Sequence, residues 1–245
     1  MLYYKIWLED RFRFVIAIVI MTAYCALIMP ALSLLPALRS PHNTLSYVAL
    51  INNNVYYNAP ILIFLIYGVV LGVRGLSRER SRGTAWLTLT LPVSRARLVT
   101  VSAVVGMLEM CVLAIIPAIS VIVLSLALHH HYAVSQTMKF YALWLPCGAV
   151  CFAVALSISN LVREDHTAYA AAIGLLVLYL VFALAPLHTL PTLNLLHIMS
   201  GDQMPYSGKD LALTGRLPWA LLSALLCSAA AVIAISCRLV QRQDF

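Results

Sequence analysis

The sequence predicts an all-α integral membrane protein: six transmembrane helices, an N-terminal amphipathic interfacial helix, and a short cytoplasmic helix between spans two and three. Three observations lead there. Of the 245 residues, 62% are hydrophobic and only 10% charged, whereas a soluble domain runs near half apolar and a quarter charged. Mean hydropathy is +0.92, which also excludes disorder, since that needs low hydrophobicity and high charge. The apolar residues fall in continuous runs of spanning length, without the alternation of barrel strands.

The first element, Met1 to Arg13, reads as an interfacial helix. Lys5, Glu9 and Arg13 fall at i, i+4 and i+8, and Tyr3, Tyr4, Trp7, Leu8 and Phe12 cover much of the remaining surface, with Arg11 inside that apolar arc. A signal peptide is the wrong reading, because Glu9 and Asp10 stand where a basic region belongs. Lipidation at Cys25 fails because bulky Tyr24 precedes it. The spans are then expected at 14–35, 59–73, 98–128 (unusually long), 141–162, 167–187 and 217–239. The polar connections 74–97 and 188–216 are each too short to bury a core. Residues 1–245 therefore read as a single transmembrane domain, with no water-soluble domain on this chain.

Orientation follows from the 16 Lys and Arg residues, because short cytoplasmic loops retain positive charge. Twelve of them fall on one side: Lys5, Arg11, Arg13, Arg74, Arg78, Arg80, Arg82, Arg95, Arg97, Arg163, Arg238 and Arg242. Arg39, Lys139, Lys209 and Arg216 fall on the other. Both termini are thus expected in the cytoplasm, as an even number of spans requires. The net charge of +7 reflects this bias and not a nucleic-acid footprint.

Few residues inside the spans can carry chemistry. Glu109 lies well within the third span, where a carboxylate costs a few kcal/mol unless it pairs or protonates. No basic residue lies in another expected span, so Glu109 should hold its proton. It is a candidate pathway or gating residue, or a structural hydrogen bond between helices. Pro117, about two turns further on, should kink the same helix by removing a backbone donor. Cys147 and Cys151 share a helical face but make an incomplete soft-metal site. His129, His130 and His131 point about 100° apart while helical, so they cannot share one ion; no metal site is expected. Enzyme patterns are missing as well. The nearest approach to GxxxxGK[ST] is Gly201 to Asp210, where the spacing is wrong and Asp follows Gly208-Lys209. HExxH is absent, and Glu164-Asp165-His166 reads as a solvated turn.

The most informative stretch is the connection 74–97, RGLSRERSRGTAWLTLTLPVSRAR. It carries six arginines around an apolar middle, Ala85 to Leu91. Ser77 is placed to cap a short helix that Gly83 would end, and Ser94 to cap the third span beyond Pro92. The product is a helix across the cytoplasmic face, fit to bind anionic lipid or a soluble partner.

Glu79, then Gly83-Thr84, then Leu91-Pro92-Val93-Ser94-Arg95 resembles the signature of the type-2 ATP-binding-cassette permeases. The resemblance extends to the N-terminal helix, the six spans and the Arg242–Phe245 tail. It implies the membrane subunit of an exporter that pairs with a second copy of itself and with two copies of a cytoplasmic ATPase. ATP and Mg would be bound by that ATPase, leaving no cofactor in this chain. The connection would be a coupling helix seated in a groove of the ATPase. Carried onto this sequence, Glu79, Gly83 and Thr84 belong to that contact, in the company of Arg78, Arg80 and Arg82, while Leu91, Pro92, Ser94 and Arg95 shape the start of the third span. The N-terminal helix, with Lys5, Trp7, Glu9 and Arg13, would be a second contact. Residues 188–216 would form short re-entrant helices at the outer mouth.

Apolar walls favour a hydrophobic or amphipathic cargo: a peptide, an antimicrobial or a lipid-like molecule. Two other readings stay open: a permease for copper-enzyme maturation or ion extrusion, and an ATPase-independent secondary transporter using Glu109.

Overall fold

The computed structural model describes residues 2–33, 47–57, 59–74, 95–130, 132–162, 164–184, 194–205 and 212–242. Six helical stretches among them are long and apolar enough to cross a membrane, so the chain is a multi-pass membrane protein. They are α1 (Leu2–Ser33), the composite of α2 (Tyr47–Ile51), π1 (Asn52–Tyr57) and α3 (Ala59–Gly72), then α4 (Arg95–Ala127), α5 (Val134–Leu161), α6 (Asp165–Leu184) and α8 (Trp219–Arg242). The short α7 (Leu195–Ser200) precedes the last of them.

Where helices run past the expected boundaries, the cause is local chemistry. α1 runs without a break through the expected boundary at residue 14, because no Gly or Pro interrupts it before Pro30. The second spanning stretch begins at Tyr47, twelve residues ahead of the apolar run at 59. Asn52, Asn53 and Asn54 concealed it by their polarity. In the fold these asparagines belong to π1, and buried Asn52 accepts a hydrogen bond from Tyr132 Oη at 2.6 Å. Asn54 donates to Leu50 O at 2.9 Å and its carbonyl accepts from Tyr24 Oη at 3.1 Å. Burial pushes the Tyr132 phenol above the usual tyrosine range, with Tyr47 adding to the shift. α5 likewise starts at Val134, ahead of residue 141. α4 and α5 continue as helices through Pro117 and Pro146.

α5 is the central element and packs against α3, α4, α6, α7 and α8, while α1 lies along α4 and α3. The core sits where α5 faces α3 and π1. Tyr56 stacks on Phe140 with ring centroids 4.1 Å apart, and Phe64 lies 5.5 Å from Trp144. Gly68 and Gly72, spaced as small-xxx-small, make this approach possible. A Cβ at 72 would stand 2.7 Å from Ala155 Cβ and 2.8 Å from the Phe152 carbonyl. Gly148 accommodates Phe64 from the opposite side.

α7 is held at the far end of the bundle. Asn194 caps it by accepting from Leu196 N, Gly201 ends it at φ 81°, and Trp144 Nε1 donates to Met199 O at 3.1 Å. Beside it, Asp202 accepts hydrogen bonds from Tyr57 and Ser200 and lies 2.8 Å from His197 Nδ1. α6 and α8 leave most of their apolar surface uncovered, with Val177, Val181 and Phe182 on α6 more than half exposed. Such faces suit lipid tails, which are as apolar as leucine.

Candidate functional site at the end of α3

The buried charges gather where α3 stops. Backbone pairing ends with Val73 N on Val69 O and Arg74 N on Gly72 O, leaving late carbonyls to be met by side chains. Val73 O accepts from Arg13 Nη1 at 3.3 Å and from Tyr169 Oη at 3.2 Å. Arg74 O accepts from Ser159 Oγ at 2.6 Å. Two consecutive residues are thereby gripped by α1, α5 and α6.

The Arg74 side chain turns back into the bundle and is only 2% exposed. Its Nη2 donates to Glu109 Oε2 on α4, and its Nε lies 3.4 Å from Asp10 Oδ2 on α1. Phe152 of α5 contributes a ring face whose centroid is 5.8 Å from the guanidinium carbon. Gly106 leaves the room this needs, since a Cβ there would stand 3.3 Å from Arg74 Nη1 and overlap the Phe152 ring. Arg13 closes the rim, 3.9 Å from Asp10 and 5.1 Å from the Tyr169 ring centroid. Two carboxylates thus share one buried guanidinium, and Glu109 Oε1 and Arg74 Nη1 have no hydrogen-bond partner among the described residues.

This corrects the expectation that Glu109 lacks a basic neighbour. In the sequence Arg74 opens the connection 74–97, directly after an apolar run, where nothing marks it as buried. In the fold its aliphatic stem reaches back along α3 and delivers the charge to α4. The connection shortens at its other end too, because α4 begins at Arg95. Asp10 stands out as a functional candidate only in three dimensions, as do Ser159 and Tyr169. One signal in the sequence pointed to a missing partner: an isolated intramembrane Glu requires one, but the sequence does not distinguish Arg74 from Arg13, Arg97 or Arg163, which adjoin spans at the same boundary.

The remaining predicted residues divide into two groups. Arg78, Glu79, Arg80, Arg82, Gly83, Thr84, Leu91, Pro92 and Ser94 lie outside the described residues, as do the side chains of Lys5, Glu9 and Arg95. Of the rest, Trp7 is 43% exposed, with its ring centroid 6.5 Å from that of Tyr4. Arg13 belongs to the charge cluster and not to a water-facing stripe. Pro117 sits two turns beyond Glu109 inside α4.

Several apolar hollows surround this framework. One of about 420 Å³ between α1 and α4 is lined by Tyr3, Tyr4, Trp7, Leu108, Glu109 and Val112. Another, of about 250 Å³, lies among α3, α5 and α6, with Val69, Cys151, Ala155, Leu176 and Tyr179 in its wall. Among the described residues no group of three His, Cys, Asp or Glu side chains could hold a metal ion.

A family model described as ABC-2 family transporter protein matches residues 12–214, which is most of the chain and takes in Arg74, Glu109 and the far-end helix α7, with Asp10 just ahead of its start. No curated protein matches the sequence.

Proposed function

The chain belongs to the ABC-2 family of transporter membrane proteins, and from that premise we propose that it is the permease subunit of an ATP-driven exporter. In this reading two copies of the chain pair with two separate cytoplasmic ATPase subunits, which bind ATP and Mg. Both termini and the 75–94 connection face the cytoplasm. That connection, with Glu79, Gly83 and Thr84 at its centre, is the docking helix, and α1 supplies a second contact through its first turns.

The observation that carries the reading is where the connection is tethered. It leaves the bundle at Arg74, which is held by α1, α4 and α5, and returns directly into α4 at Arg95. Force applied to such a connection has a defined route into the spans. ATP-driven closure of an ATPase pair would push both connections and reorganise the helices rigidly, as domain-scale switches do.

The cargo is a hydrophobic or amphipathic molecule. The hollows between α1 and α4 and among α3, α5 and α6 are almost wholly apolar, which suits acyl chains or a peptide's apolar face better than a hydrated sugar. A transporter driven by protons through Glu109 would have to release that carboxylate from Arg74, which donates to its Oε2. A role in copper-enzyme maturation or ion extrusion would need soft ligands gathered at one place, and Cys147 and Cys151 are the nearest approach to that on α5.

The test is isolation of the tagged chain from its host membranes in mild detergent, with partners identified by mass and ATP hydrolysis assayed in the eluate. A stoichiometric ATPase is expected, and Gly83→Trp should abolish its retention. A chain that elutes alone and without hydrolysis from several detergents would overturn the proposal.

A further inference from the structure

Asp10, Arg74 and Glu109 are buried to 3%, 2% and 3% exposure respectively, at the level where α1, α3 and α4 meet. A cluster of this kind is a poor way to hold helices together. Desolvating the ions offsets most of their attraction, and packed apolar side chains would serve as well or better. What an ion cluster supplies is registry, and it can have two states. Here one guanidinium stands between two carboxylates, Nη2 on Glu109 and Nε at 3.4 Å from Asp10. Nε also donates to Leu71 O, so the guanidinium is anchored to the end of α3 while it faces the carboxylates of α1 and α4.

The position of the cluster matters as much as its chemistry. Arg74 is the last described residue before the 75–94 connection, so a pull on that end of the connection passes through Arg74. The connection's far end is covalently α4, beginning at Arg95. Glu109 lies fourteen residues along the same helix, about 21 Å from its start. The connection is therefore tied to α4 twice, once through the chain and once through the Arg74–Glu109 pair. Asp10 adds α1, and the Ser159 and Tyr169 hydrogen bonds add α5 and α6. A rigid tilt of α4 about these two ties would carry movement from one end of the bundle to the other.

We infer that Asp10, Arg74 and Glu109 are positioning residues for transport: together they transmit displacement of the 75–94 connection to α1 and α4. The inference rests on the reading that an ATPase docks on that connection. Its own content is that docking and transmission are separable, with transmission residing in these three side chains.

The experiment uses the full chain in complex with its co-purified ATPase, with native cysteines replaced and spin labels at Leu27→Cys on α1 and Leu126→Cys on α4. Both positions are more than 70% or 60% exposed, at 73% and 63%, near the far end of the bundle. Adding ATP and vanadate should shift the interlabel distance in the otherwise native chain. In Arg74→Gln the ATPase should remain bound and hydrolyse ATP, while the shifted population falls by about tenfold, within the usual range of coupling between sites. Arg74→Lys, which keeps the charge but loses the fork, should recover part of the shift. If Arg74→Gln does not fold, the isosteric Glu109→Gln gives the same reading. A full shift in a variant that still hydrolyses ATP would overturn the inference. So would loss of ATPase from both variants while the native chain retains it, since the cluster would then support docking. Failure of the native chain itself to retain an ATPase would instead overturn the reading on which the inference rests.

Discussion

His129 adopts φ 57°, the left-handed conformation, and no other non-glycine residue among those described does so. It occupies the turn that ends α4, where His129 N bonds Leu126 O at 3.1 Å and His130 N bonds Ser125 O at 2.8 Å. This pair of bonds is the Schellman closure, which favours glycine at the left-handed position. His130 is drawn off the helix and stacks on Tyr47 with centroids 4.2 Å apart. The first two members of the triple histidine, for which the sequence predicts no metal site, are thus a helix terminator and an aromatic contact. His129→Gly should therefore stabilise the protein by about 1 kcal/mol, relieving left-handed strain. Thermal unfolding in detergent measures this as a higher Tm; a lower Tm would mean that the imidazole itself makes the more valuable contact.

At the scale of elements, the α3–α5 pair governs the framework. Gly68 and Gly72 repeat at four residues, a pattern visible in the sequence as GVVLG. Its meaning depended on which helix came to face it. α5 does so with Gly148, Ala155 and the Phe152 carbonyl, none of which can yield as a flexible side chain would. Gly72→Leu should cost at least about 2–3 kcal/mol, the upper range for overpacking, and lower the Tm of the detergent-solubilised chain. Gly174→Leu on α6, where a Cβ meets nothing within 4 Å, should leave it near the starting value. Equal effects at the two positions would show that the close approach contributes nothing. The element boundaries were less legible. Three asparagines masked the start of the second spanning stretch, because hydropathy scores a polar side chain before knowing whether Tyr132 will bond it.

Across the whole molecule, six spanning stretches place the beginning of α1, the end of α3, the start of α4 and the end of α8 at one end of the bundle. With twelve basic residues assigned to that side by sequence, this end should face the cytoplasm. Reporter fusions test it: a fluorescent protein that folds only in the cytoplasm should light when joined to either terminus, and a phosphatase active only outside should stay silent there. Signal from one terminus alone would mean an odd number of crossings.

The class of the molecule was determined by the sequence, because transfer of long apolar runs into lipid is a sum over residues and needs no knowledge of neighbours. The same holds for the arginine-rich connection and for the family resemblance carried by Glu79, Gly83-Thr84 and Leu91–Arg95, which the family match supports at the level of the family. The charge cluster was decided by tertiary structure alone. Asp10, Arg74 and Glu109 lie dozens of residues apart, and each looked ordinary or orphaned in its own segment. Their charges are compensated only because α1, α3 and α4 meet at one depth. A Coulomb pair depends on distance in space, and the fold sets that distance.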